Sequence, residues 1–396
     1  MNLGKQMDTI KTSTLLCYIM NLMSAVCITM ISPTLPRLSE DFSLNLSQMG
    51  MLLAFQFIGF TVFVLASGIV SDHIGKKTTL SAAMIMLTLS SFILSFVSSF
   101  ELLCFVLLFL GGGMGILEMM SNALLSDIRS DNAVFYLNFM QVFFGLGAII
   151  GPVLIGVAYA SDISWRIIYR ILGVLLAFLT VWFMVNKLPT LPPSEKVNIS
   201  AIKNLFTDKK FILICLCMFL YTGAESSGWG WLSTYTSSIL NFTVIESSTT
   251  VAVFWVSMTI SRLLVALIIK KCEVRKIIMV MATFAGIVCG IMSFVQEGFA
   301  VWLMIVLLGF ACSSQWGLIL SYGTERYKRN SGTVFALLVA SGGIGMSIVP
   351  YLSGIAGDLF GMRTSLFVPA VMFLLITLSF VVIPNVKARL ENTLNM

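Results

Sequence analysis

The sequence predicts an all-α integral membrane protein of twelve transmembrane helices, arranged as two pseudo-symmetric six-helix halves with the N- and C-termini in the cytoplasm. Composition supplies the first reason. With 58% hydrophobic and 11% charged residues and a mean hydropathy of +0.97, the chain is too apolar for a domain surrounded by water. Segmentation supplies the second. Long apolar runs recur near 13–36, 47–71, 78–97, 101–126, 133–160, 164–186, 211–240, 247–269, 277–295, 299–322, 331–357 and 363–384, each able to cross a hydrocarbon layer as a helix. None alternates with period two, so a helical bundle rather than a barrel must satisfy the backbone in lipid. The third reason is a repeat: Gly145, Gly147, Pro152 and Gly156 recur as Gly343, Gly345, Pro350 and Gly354, a constant offset of 198 in a chain of 396.

Charge sets the orientation. With a cytoplasmic N-terminus, 19 of the 24 Lys and Arg fall in cytoplasmic segments, three fall outside, and Arg170 and Arg262 fall within spans, as the positive-inside rule requires. The net charge of +6 is thereby accounted for without nucleic acid. The expected partners are the lipid bilayer and a small-molecule substrate; the expected state is a monomer, multi-pass in the cell membrane. Twelve mostly polar residues precede a first apolar run too long for a signal peptide, so no cleavable signal is expected. The eight cysteines form no CxxC pair and read as small apolar residues, without a disulfide framework or metal site.

The first span carries Asn21, holds no acid, and is expected to end at Pro33-Thr34-Leu35-Pro36. The second carries Gln56 and runs into Gly68, Asp72, Gly75, Lys76 and Lys77. The only histidine, His73, lies in that loop, so a proton path through the membrane must use a carboxylate. The fourth and fifth spans meet at a charged turn with Asp127, Arg129 and Asp131. Counted from it at ~1.5 Å per residue, Glu118 lies about 13 Å and Gln141 about 15 Å deep. Asn122 is four residues from Glu118 and Asn138 three from Gln141, so each pair shares a helix face and the four polar groups converge. An ionisable group at that depth marks a pathway or a site by default; a packing role for Glu118 is the alternative. Arg170, near the outer end of the sixth span, is expected to snorkel.

Residues 1–189 and 211–396 read as the two halves, joined by a cytoplasmic linker at 190–210 with a short amphipathic helix expected around Ile199 to Phe206. In the seventh span Gly223, Gly228 and Gly230 surround Glu225, which predicts a broken, mobile segment beside a cavity. Trp229, Trp231 and Tyr235 follow; such rings stack on sugars, line apolar pockets, or form an interfacial belt. Trp255, Gln315 and Trp316 add aromatic and polar groups in the eighth and tenth spans. Arg262 lies about 12 Å inside, where it snorkels to the cytoplasm or pairs with a buried acid.

The Gly68–Lys77 pattern resembles the loop between helices two and three of the major facilitator superfamily. The physical sense is that its glycines let helix ends approach, while Asp72 meets a helix terminus or base when the cytoplasmic side is shut. With Arg262 these residues are the expected cytoplasmic gate. Within the superfamily, Gly113, Gly115, Glu118 and Asn122, then Leu137, Asn138 and Gln141, then Gly223 to Glu225, are similar to the fucose and glucose cation symporter branch. That resemblance implies uptake of a monosaccharide coupled to a proton or sodium ion, with a helix-four carboxylate in the coupling, amides on the sugar hydroxyls, and no cofactor. The branch pattern has an aspartate on helix one where this chain has Asn21, so Glu225 takes the second acidic role or Glu118 acts alone. The alternative is a proton-antiport exporter, for which Gly147, Gly151, Pro152 and Gly156 are similar to an antiporter motif. An enzyme is not expected, because no catalytic triad, metal-ligand cluster or phosphate loop is present.

Overall fold

Backbone N–H groups in lipid must be bonded within their own segment, and in the computed structural model every long apolar run is helical. The structure describes residues 3–130, 132–188, 205–268, 272–296 and 298–383. Asp131 and the expected linker from 190 to 204, with most of its amphipathic helix, lie outside the described residues. Among the described residues there is no strand, and twelve segments are long and apolar enough to span a membrane.

The first half comprises α1 (Leu3–Phe42), α2 (Leu46–Ile74), α3 (Lys76–Leu94), α4 (Phe100–Ile128), α5 (Ala133–Ala160) and α6 (Trp165–Val185). The second comprises α7 (Lys209–Leu240), α8 (Val244–Ile268), α9 (Val274–Met292), α10 (Gly298–Cys312), α11 (Gln315–Arg326), α12 (Ser331–Phe360) and α13 (Arg363–Val382). Together α10 and α11 make the tenth span. Within the first half α1 packs on α4 and α5, and α2 on α4; within the second α7 packs on α12 and α13, and α8 on α10. The two halves meet where α2 packs on α12, α5 on α8, and α1 on α7.

The repeat explains these seams. A Cβ on Gly147 would collide with the Leu22 carbonyl oxygen of α1, and one on Gly345 with the Phe219 carbonyl of α7. Those glycines seat α5 and α12 inside their own halves. Gly145 faces Thr259 of α8, where a Cβ would lie 2.9 Å from the hydroxyl, while Gly343 meets Thr61 of α2. Thr61 and Thr259 are themselves 198 residues apart. Gly156 and Gly354 repeat the pattern against Ser248 and Leu46, farther along the same helices. Small residues allow helices to touch backbone to backbone where lipid gives no hydrophobic drive, so one spacing builds both the halves and the joint between them.

Two expectations are corrected. The first helix does not stop at Pro33: both Pro33 and Pro36 lie inside α1, whose turns are held by side chains, with Thr34 donating to the Met30 carbonyl at 2.7 Å and Ser32 to the Trp229 carbonyl of α7 at 3.0 Å. The seventh span is not broken at its glycines, since α7 runs unbroken for 32 residues. Gly223 is needed for close approach, a Cβ there falling 2.8 Å from the Gly345 carbonyl oxygen. The break lies in the tenth span, where Ser314 adopts φ 61° between α10 and α11.

Below, the face carrying the Gly68–Lys77 turn is called the basic face, and the opposite side the far face. On the basic face Asp208 caps α7 through the Lys210 N–H at 2.8 Å and accepts from the Tyr327 hydroxyl at 2.6 Å. Partial burial works against its charge, but these donors hold the carboxyl below the ordinary range.

Candidate functional site

The groups expected to act are set by helix register into two layers. An aromatic layer crosses the joint between the halves: the rings of Phe57 on α2 and Trp229 on α7 are 6.2 Å apart, Trp229 and Trp255 on α8 are 6.0 Å apart, and Trp255 and Phe144 on α5 are 5.8 Å apart. Trp229 and Trp255 are buried, and the Trp255 indole Nε1 has no hydrogen-bond partner. Buried donors are ordinarily satisfied, so this N–H is equipped for a ligand acceptor.

A charged layer lies one to two turns toward the basic face. Glu118 on α4, Glu225 on α7 and Arg262 on α8 are each partly accessible, and Gln141 on α5 is exposed. The Arg262 charge acts on both carboxylates. Its hydrogen-bond contact is with the Met258 sulfur at 3.8 Å, and the four ion pairs among the described residues do not include it. One turn from Glu225, the Tyr221 hydroxyl donates to the Cys312 carbonyl at 2.7 Å, at the break in the tenth span.

Three amides expected at the site have one end fixed and the other unpaired. Asn21 donates to the Met140 carbonyl at 3.1 Å and Gln315 to the Ala311 carbonyl at 2.8 Å, which orients each amide, while Gln56 contacts the Met114 sulfur at 3.8 Å. The Asn21 Oδ1, Gln56 Oε1 and Gln315 Oε1 atoms are buried without a partner. All three unpaired amide atoms are acceptors, as a donor-rich solute would require. Met114 is one turn from Glu118 on α4 and Met140 precedes Gln141 on α5, so Asn21 and Gln56 lie at about the level of the charged layer.

Other expected residues are placed elsewhere. Asn122 turns back to donate to the Glu118 backbone carbonyl at 2.8 Å, and Asn138 is exposed. Trp231 and Tyr235 are fully buried, their polar atoms donating to the Pro350 carbonyl at 3.1 Å and the Met292 carbonyl at 2.9 Å; the Trp231 ring also lies against Gly50 of α2 at the joint of the halves, so both rings are packed inside the bundle rather than set in an interfacial belt. Trp316 is 37% exposed and stands apart from the aromatic layer. Arg170 donates to the Ser95 hydroxyl at 3.1 Å and lies over the Phe96 ring. Tyr221 and Phe144 carried no sequence signal beyond being aromatic; only the fold brings them to the site.

The two faces differ. In the basic-face loop, Gly75 at φ 85° turns α2 into α3. Lys76 pairs with Asp127, and Lys77 donates to the Met184 carbonyl at 3.0 Å, so both lysines bind within the first half. Asp72 is exposed, a Cβ on Gly68 or Gly332 would meet nothing within 4 Å, and a small cavity on the α2–α12 seam is lined by Thr61, Val64 and Ala340. On the far face the halves are joined. Asp358 at the end of α12 accepts from the backbone of Leu46 at 2.9 Å and of Ser47 at 2.7 Å, and from the Ser47 hydroxyl, so one carboxylate caps α2 across the joint. Asp358→Ala is expected to speed hydrogen exchange of the 44–50 backbone at least about tenfold, the loss of a charge-assisted cap; unchanged exchange would show that the joint does not depend on it.

A family model described as the Major Facilitator Superfamily matches residues 17–337 and 214–395. A TsgA homolog of Buchnera aphidicola (subspecies Baizongia pistaciae) is 20% identical over 89% of this chain and 90% of its own. A bacterial homolog of the human lysosomal transporter Spinster, solved inward-facing and occupied, superposes with a TM-score of 0.79 at 13% identity, covering 94% of this chain and 96% of that one. The Escherichia coli fucose:proton symporter gives 0.64 at 20% identity, covering 95% and 99%.

Proposed function

The chain belongs to the major facilitator superfamily, and we propose that this transporter takes up a monosaccharide or similar small polar solute by alternating access, coupled to a proton. Glu118 and Glu225 are the coupling groups; sodium is the alternative ion. The observation that carries the reading is the pair of layers: one membrane-depth carboxylate from each half, directly beneath an aromatic layer holding an unpartnered indole N–H. Rings offer apolar faces to a sugar's C–H surface. The unpaired amide oxygens suit its hydroxyls. A fucose:proton symporter among the similar folds supports the same class.

With the basic face in the cytoplasm, as the positive-inside rule assigns it, the tie between the halves through Asp358 lies on the outer side, and the charged layer lies on the cytoplasmic side of the aromatic layer. A solute on the aromatic layer would then leave past Glu118, Gln141 and Arg262.

Trp229→Ala is expected to weaken solute affinity about tenfold, the scale of one lost aromatic contact of ~1.5 kcal/mol, and Trp229→Phe to weaken it much less. Equilibrium binding of labelled L-fucose and D-glucose would read this. Equal affinity in all three proteins would return Trp229 to packing. Resistance to a lipophilic cation on expression, with no sugar binding, would instead favour an exporter.

A further inference from the structure

The break in the tenth span gathers oxygen atoms at the carbonyl end of α10. The last turn of a helix leaves four carbonyls without partners inside the helix, and here neighbouring side chains turn to them. Ser261 on α8 donates to the Phe310 carbonyl at 2.8 Å, Gln315 Nε2 to the Ala311 carbonyl at 2.8 Å, and Tyr221 on α7 to the Cys312 carbonyl at 2.7 Å. Ser313 donates its hydroxyl proton to Ser261, and the Gln315 backbone N–H donates to the Ser313 carbonyl at 2.7 Å. A hydroxyl has one proton, so those of Ser261, Ser313 and Tyr221 are all used and their lone pairs remain. The four side chains Tyr221, Ser261, Ser313 and Gln315 are fully buried, and the Gln315 Oε1 atom has no partner. The oxygen and nitrogen of one amide are about 2.3 Å apart, so Oε1 lies within about 5 Å of the Ala311 oxygen.

We propose that this break binds one monovalent alkali cation, with Gln315 Oε1 and the carbonyl end of α10 as its ligands. A buried acceptor requires a donor or a cation, and the carbonyls freed where a membrane helix unwinds are cation ligands. The ligand set is neutral, which suits sodium or potassium; calcium and magnesium draw on carboxylates, and none of the bonds above involves one. The 15 residues of α10 add a dipole whose negative end lies at Cys312. The opposing positive end of α11 lies at Trp316 and Gly317. There Trp316 is 37% exposed and a Cβ on Gly317 would meet nothing within 4 Å, so solvent screens that end and the ion has a way in. Gln315 is thereby assigned to the ion rather than to the solute, while Asn21 and Gln56 stay at the level of the charged layer. Bound there, the ion joins α10 to α11 and, through Tyr221 and Ser261, to α7 and α8. The site goes beyond the transport reading and does not depend on which solute is carried.

The test uses the full-length protein in detergent, exchanged into choline chloride to remove alkali ions. Sodium or potassium chloride then replaces choline at constant ionic strength, and the melting midpoint and the retention of radiolabelled sodium or rubidium are measured. No solute is added, so a negative result leaves the transport reading untouched. One of the two ions is expected to raise the midpoint saturably and to be retained at one per chain. Gln315→Met keeps the length of the side chain and removes the acceptor. It is expected to weaken that ion at least about tenfold, the scale on which even indirect partners of a bound ion act. Gln315→Glu keeps an oxygen and adds charge, and is expected to hold the ion at least as tightly as the native protein; a merely structural amide would give no such result. Equal midpoints in sodium, potassium and choline, with no labelled ion retained, would show that the amide meets only water and overturn the proposal. Unchanged ion affinity in Gln315→Met also overturns it, because the ion then lies elsewhere. Where Gln315→Met fails to fold, Gln315→Glu decides, and loss of the ion there overturns the proposal as well.

Discussion

Glu118→Gln is expected to abolish accumulation of solute against its gradient while exchange of labelled for unlabelled solute continues. The amide keeps the size and hydrogen-bonding capacity of a protonated carboxyl but cannot release a proton, so the variant resembles the carrier fixed in its loaded form. Binding and rocking remain possible; the link to the ion gradient does not. A drop of at least about a hundredfold in the accumulation ratio follows if one proton at a typical proton-motive force had been driving it, equivalent to ~2.7 kcal/mol. Counterflow and gradient-driven uptake in the same vesicles check it. Undiminished accumulation would remove Glu118 from the coupling and return it to packing.

The second large effect concerns helix packing within each half. Gly147→Ala places a Cβ on the Leu22 carbonyl oxygen, and Gly345→Ala does the same at Phe219. A carbonyl on a helix backbone cannot swing aside as a side-chain tip can, so the helices must separate. Overpacking costs about 1–3 kcal/mol in ordinary cores and more where backbone must move. Both variants are expected to lower the melting midpoint clearly and reduce the monodisperse fraction after extraction. Gly317→Ala is the control, because no atom lies within 4 Å of a Cβ there, and it should match the native protein or slightly exceed it. If all three behaved alike, close glycine contact would not be what seats α5 and α12.

Much of this architecture was legible from the sequence because lipid imposes simple rules. The twelve spans followed from run length, and the offset of 198 marked the residues that build the seams. Sequence could not assign those glycines to their partners, since Leu22 and Phe219 have no distinguishing chemistry. The error at Pro33 arose because proline ends helices in isolation, whereas α1 is held on several sides by α4, α5 and α7. The error in the seventh span has a related cause. Glycine weakens a helix in water, but between packed helices its missing side chain is used for approach, and the break falls at Ser313–Ser314, where composition gave no warning.

The site was legible one residue at a time and not as a constellation. Depth alone pointed to Glu118 and Glu225. Helix spacing also placed Asn122 beside Glu118, correctly in register, yet its amide is spent on its own backbone. Trp229 and Trp231, two residues apart, divide between the ring layer and a separate packing contact with Pro350 of α12 and Gly50 of α2. The relation of Arg262 to both acids depends on the α5–α8 contact and the bend of the tenth span, neither of which a linear reading supplies.

The central claim is that solute and proton move together through the layer holding Glu118. The most direct measurement is the internal pH of proteoliposomes containing the full-length protein, with no imposed gradient, as a panel of monosaccharides is added outside. The account predicts that one or more sugars acidify the interior as protons enter with them, alkalinising the side from which sugar is taken, and that Glu118→Gln abolishes the signal. A labelled sugar that enters with no pH change, in sodium-free buffer and with Glu118 intact, would contradict it.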